Sequence, residues 1–137
     1  MDRTIVALFI GLLLLGCTAN PQLVQAQLGK NFTLKVNQTA SIASEGLIIK
    51  LDGVTQDSRC PSDVVCVWAG EVQVKLLLSK GEKSGLLQPV LGASAGNESE
   101  GEFEGYKIKL VSVEPYPVST KQIAQSDYNV TLTVEKE

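Results

Sequence analysis

The sequence predicts an all-β domain, an antiparallel β-sandwich with a β-barrel as the alternative and with one short disulfide-closed loop. Several segments alternate apolar and polar residues with the period of a half-buried strand. Turn-forming residues recur about every ten positions, the usual spacing in such folds. No stretch sustains a helical period.

Taken in order, Phe32, Leu34 and Val36 alternate with Thr33 and Lys35, and Leu47, Ile49 and Leu51 alternate with Lys50 and Asp52. Val64, Cys66 and Trp68 alternate with Val65, Val67 and Ala69, which are apolar as well. Two apolar faces predict a central strand over 64–69, with Trp68 filling the core and Gly70 ending the strand. Val72, Val74, Leu76 and Leu78 then oppose Glu71, Gln73 and Lys75, the cleanest amphipathic strand of the chain. Residues 79–85 read as a polar turn, and residues 86–91 as a returning strand that Pro89 confines to an edge. A small-residue loop over 92–101 precedes a strand over 106–113, which Pro115 and Pro117 stop. Ser119 to Gln125 predicts a single helical turn, and Tyr128, Val130, Leu132 and Val134 mark the last strand.

The 137 residues suit one domain, and 44% hydrophobic with 20% charged residues is a globular composition. With one Trp, three Tyr and three Phe, the core must be mainly aliphatic. A net charge of −3 without any basic cluster excludes nucleic acid as a partner. The chain has no histidine, so it lacks the commonest general base and the commonest transition-metal ligand. No catalytic residue, metal site or cofactor is expected.

Ile5 to Leu15 is an apolar run behind a single Arg3, too short to span a bilayer core of about 30 Å. Leu14-Leu15-Gly16-Cys17 at its end resembles the lipobox of prokaryotic lipoproteins, with Leu15 bulkier than is usual there. The resemblance implies a signal peptide over 1–16, lipidation of Cys17, export, and anchoring in the lipid bilayer through the acylated cysteine. Residues 17–29, with Pro21 and three glutamines, are expected to be a tether, and residues 30–137 the β domain.

With Cys17 assigned to lipid, Cys60 and Cys66 remain as an even pair in an exported chain, which implies a disulfide. The spacing is too long for a C-x-x-C redox motif, and two thiols without histidine leave a zinc ion half-coordinated. Arg59, Ser62 and Asp63 are the expected binding residues, at the exposed tip of this loop. The alternative has Asp57 and Asp63 capping turns while Arg59 pairs with one of them.

Glu98, Glu100, Glu102 and Glu104 alternate, so that an extended backbone aligns four carboxylates. They read as a solvated acidic hairpin, because the spacing lacks the pattern of a known calcium loop. Four of the five asparagines, Asn31, Asn37, Asn97 and Asn129, stand two places before Ser or Thr and are candidate glycosylation sites on an exported chain.

Ser58-Arg59-Cys60-Pro61, followed by Cys66-Val67-Trp68-Ala69-Gly70, resembles a segment of small secreted proteins and lipoproteins of bacteria and archaea. That family brings no established activity, so the resemblance implies fold and export only. The functional expectation is a membrane-anchored, non-enzymatic binding or structural module with an envelope protein as partner. The alternative is an inhibitor of an extracytoplasmic hydrolase acting through the Cys60–Cys66 loop.

Overall fold

The computed structural model describes Gly16 and residues 22–92 and 96–137. Among the described residues ten strands are formed in chain order: β1 (Leu23–Gln25), β2 (Phe32–Lys35), β3 (Thr39–Ile42), β4 (Leu47–Asp57), β5 (Glu71–Lys80), β6 (Lys83–Leu87), β7 (Val90–Gly92), β8 (Glu100–Phe103), β9 (Tyr106–Glu114) and β10 (Asn129–Lys136). One sheet runs β1-β3-β4-β5-β6, with β7 also on β5, and the other runs β2-β10-β9-β8. All pairings are antiparallel except that of β1 with β3. The two sheets share no ladder, so the architecture is a sandwich and the barrel alternative falls away.

Alternation in the sequence becomes the core between the sheets. Leu47, Ile49 and Leu51 of β4 and Val72, Val74, Leu76 and Leu78 of β5 face Leu34, Ile108, Leu110, Val130 and Leu132 of the second sheet, all buried in one cluster. Each fully buried aliphatic side chain contributes about 1.5–3 kcal/mol against its exposed state. The period slips once in β4, where Leu51 and Val54 both point inward although three residues apart. Two bulges between Leu51 and Gln56 absorb the extra residues. Val54 stays opposite Val74 of β5, and on the other edge of β4, past the end of its pairing with β3, the Gln125 side chain takes up the Val54 backbone. Its Oε1 accepts from the Val54 N–H at 3.0 Å, and its Nε2 donates to the Val54 carbonyl at 2.9 Å.

Several local expectations are corrected. No strand forms over 64–69, and Trp68 is 83% exposed rather than buried in the core. β1 lies inside the segment expected as a tether, with the Thr39 N–H donating to the Gln22 carbonyl at 2.8 Å. The polar turn expected over 79–85 shrinks to a tight turn at Gly81, where φ is +60°, and the return strand is split around Gln88–Pro89 into β6 and β7. β8 occupies part of the expected small-residue loop. The helical turn expected over 119–125 is absent, and a 3-10 turn forms instead at Gln125–Asp127, where Gln125 serves β4. Cys17 and the rest of its lipobox apart from Gly16 lie outside the described residues.

Candidate functional site

The loop between β4 and β5 is built up from the ladder beneath it. The Ser58 N–H donates to the Glu71 carbonyl and the Cys60 N–H to the Ala69 carbonyl, each at 2.8 Å, so the two arms stay paired beyond the ends of the strands. Gly70 is required here because its φ is +69° and a Cβ would lie 1.9 Å from the Ser58 carbonyl oxygen. The Cys60–Cys66 disulfide closes the loop above this neck, with Cα atoms 5.9 Å apart. Inside it, the Val64 N–H donates to the Pro61 carbonyl at 3.3 Å, closing a turn with Ser62 and Asp63 at its centre.

Arg59 anchors the loop from below. Its Nε and Nη2 donate to the two carboxylate oxygens of Asp57 at 2.8 and 2.7 Å. Nη1 donates to the Val113 carbonyl at 2.6 Å and Nη2 to the Pro115 carbonyl at 3.1 Å, at the end of β9 in the opposite sheet and just after it. The guanidinium also lies 5.0 Å from the Tyr116 ring centre, a cation–π distance. The Tyr128 hydroxyl donates to Asp57 Oδ2 at 2.9 Å. Burial alone would push the Asp57 carboxyl up, but hydrogen bonds from Arg59 and Tyr128 and the Arg59 charge together hold it below the ordinary range. For Tyr128, burial, the bond to Asp57 and the carboxylate charge act together, and its phenol is pushed up from 10.0 to about 12.

Arg59 is therefore not at the exposed tip as expected, since its side chain is only 7% exposed. The pairing alternative describes it: Arg59 holds the loop through Asp57. Asp63 is tied too, accepting the Ser119 N–H at 2.8 Å and the Ser119 hydroxyl, and these bonds, the hydroxyl's foremost, hold its carboxyl below the ordinary range. Ser62 is exposed, and its backbone N–H donates to the Pro117 carbonyl at 2.9 Å. The polar side chains expected to recognise a partner thus brace the loop against the second sheet, apart from Ser62.

What the loop presents instead is apolar. Val65 and Val67 are fully exposed at 101% and 104%, Trp68 is 83% exposed and Val64 44%. The physical reason is the neck: with the arms paired to each other and closed by the disulfide, no third strand or opposite sheet among the described residues covers residues 64–68. An open cleft of about 410 Å³ beside Trp68 is lined by Gln56, Ser58, Gly70 and Glu71, and another of about 270 Å³ lies over Arg59, Gly70, Val113 and Tyr116. The four hydrogen bonds of Arg59 commit its charge inward.

The other sequence candidates are dispersed. Glu100 lies between Lys107 at 3.9 Å and Lys109 at 3.5 Å, and Glu104 occupies a hairpin turn with φ +49°. Among the described residues, no group of three acidic or cysteine side chains is placed to hold a metal ion. Asn37 is exposed in a turn with φ +72°. Asn31 accepts a hydrogen bond from the Thr133 hydroxyl, and Asn129 sits half-buried in β10 between β2 and β9. Asn97 lies in the 3-10 turn Gly96–Ser99, and its side chain is outside the described set.

Sequence reasoning missed the apolar tip because alternating valines look the same on a strand and on a loop. A legible signal was present: a segment closed by cysteines six apart has no length left for a strand that also crosses the core. The chain matches no known protein family, no curated protein and no solved structure.

Proposed function

We propose that the protein is a membrane-anchored, non-enzymatic binding module of the cell envelope, with the apolar tip of the Cys60–Cys66 loop as its contact surface. The observation that supports this is the exposure of Val64, Val65, Val67 and Trp68 on a loop fixed by a disulfide and a buried Arg59–Asp57 pair. Exposed apolar patches on otherwise well-packed domains mark contact sites, and a pre-ordered loop loses little entropy on binding. Export and anchoring through lipidated Cys17 rest on the lipobox resemblance.

The test is a photo-crosslinking amino acid at Val67 in intact cells, with the same group at Glu82 in the exposed β5–β6 turn as control. Adducts at position 67 but not at 82 are expected. Absence of any adduct at 67, to protein or lipid, refutes the proposal.

A second reading, inhibition of an extracytoplasmic hydrolase, is supported by the rigidity of the same loop. Because Arg59 is turned inward, the blocking residues would be Ser62, Val64 and Val65. Unchanged inhibition of envelope hydrolases by Val65→Asp removes it.

A further inference from the structure

Resting on that reading, we infer that the surface met by the loop tip is the lipid bilayer that carries the protein's own anchor. The topology turns the start of β1 toward the end of the sandwich that carries the tip. β1 runs parallel to β3, with Leu23 opposite Thr39, and Thr39 lies opposite Lys50 of β4. β4 runs on from there toward Asp57 and the loop, so β1 starts at its loop-facing end, with Gln22 on that side of Leu23. Gln22 is level with Leu51, since the Gln22 and Gln38 carbonyls accept from Thr39 and Leu51 respectively.

Reach then decides the geometry. From the level of Leu51 to that of Asp57, the partner strand β5 spans Leu76 to Val72, about 13 Å of strand rise. The neck continues through the Cys60–Ala69 bond, about 10 Å farther. Covalent length lets Cys17 lie at most about 17 Å from Gln22. With Cys17 held at the membrane surface and the strands upright on it, the tip reaches that surface or passes beyond it. β1 sharpens this, because it shortens the expected tether to the residues before Gln22.

The chemistry of this end matches a bilayer interface. Five of the eight large apolar side chains exposed among the described residues, Val64, Val65, Val67, Trp68 and Tyr116, are on the loop or beside its Arg59 anchor. Trp and Tyr concentrate at membrane–water boundaries, where an apolar ring with a polar edge is suited to both phases. A single acyl chain holds a protein only marginally, and a second contact makes the attachment stable. The loop offers no free cation: Arg59 is paired, and Asp63 and Glu71 are acidic. Although the exposed Lys121 of the β9–β10 connection lines a cleft with Pro61, insertion is driven by the larger apolar area rather than by attraction to anionic headgroups.

Trp68 is the only tryptophan in the chain, so its fluorescence reports the tip alone. The acylated full-length protein is reconstituted into phosphatidylcholine vesicles, and flotation verifies anchoring. Expected are blue-shifted emission, quenching by lipids brominated in the acyl chain, and protection from aqueous acrylamide. The same values should hold with phosphatidylglycerol added and in high salt. A reporter moved to the far end, Glu82→Trp in a Trp68→Phe background, should remain open to acrylamide. Val65→Asp with Val67→Asp should reduce the inserted fraction of the tip by roughly tenfold or more.

Trp68 emission that stays water-like in floated vesicles, or quenching that appears only with anionic lipid, overturns the inference. Protein adducts without lipid adducts at Val67 do the same while leaving the binding reading intact. Absence of every adduct removes both.

Discussion

Replacing Arg59 by alanine should loosen the loop and its joint to the second sheet, because four hydrogen bonds converge on this one side chain. Two of them neutralise Asp57, at 2.8 and 2.7 Å, and two satisfy the carbonyls of Val113 and Pro115. The pair is well shielded, with side-chain exposures of 7% for Arg59 and 11% for Asp57. Removing one member of a buried pair costs about 3–5 kcal/mol. Water can reach the Pro115 carbonyl once the arginine is gone, and Tyr128 still donates to Asp57. The expected loss is therefore about 2–4 kcal/mol. Urea denaturation at neutral pH measures it as a fall in midpoint at constant slope. Arg59→Ala combined with Asp57→Ala should cost less than the sum of the single changes, since no unpaired charge then remains. Arg59→Lys should recover only part, because an ammonium cannot reproduce the fork to Asp57 together with the two carbonyls. An Arg59→Ala protein within about 0.5 kcal/mol of the parent would refute the anchoring role.

Opening the disulfide with Cys60→Ser and Cys66→Ser should cost about 2 kcal/mol, from the chain entropy of so short a loop, read from the same urea midpoints. Gly70→Ala should cost at least about 1–3 kcal/mol and shift thermal melting downward, because its Cβ would meet the Ser58 carbonyl oxygen at 1.9 Å. The raised pKa of Tyr128 favours the neutral phenol in the folded state. Its stabilisation is complete below pH 10 and is lost as pH rises from 10.0 to about 12. Urea midpoints should fall across that window in the parent and fall less in Tyr128→Phe. Asp57 works in the opposite direction: its depressed pKa gives stability that is present above the ordinary carboxylate range and lost as pH falls through the lowered value. Val65→Ser, by contrast, should leave the melting temperature unchanged, since a fully exposed side chain has no packing to lose.

The sandwich was legible because its strands solve a local problem visible in the chain. Each has to turn one face inward, and residues such as Val72, Val74, Leu76 and Leu78 reveal that face by period alone. Strands without a contrast between faces escaped notice. β1, Leu-Val-Gln, is a strand chiefly because of the neighbour it pairs with, whereas β3, Thr-Ala-Ser-Ile, does alternate and buries Ala40 and Ile42, but over four residues only. β8 contains Glu100, Gly101 and Glu102, whose preference for a loop is overcome by pairing with β9 and by the two lysines beside Glu100.

The loop from Asp57 to Gly70 divides most clearly between the two levels. Cysteine count and spacing implied the disulfide, and the sequence of charges left open whether Arg59 faced a partner or Asp57. Only the tertiary structure decided between these, because the carbonyls of Val113 and Pro115 that hold Arg59 lie more than fifty residues away in the chain. It also reversed the place of Trp68. Hydrophobicity is a property of a residue, whereas burial depends on which surface arrives opposite it. For residues 65–68, the paired neck and the disulfide hold the chain clear of the rest of the described domain.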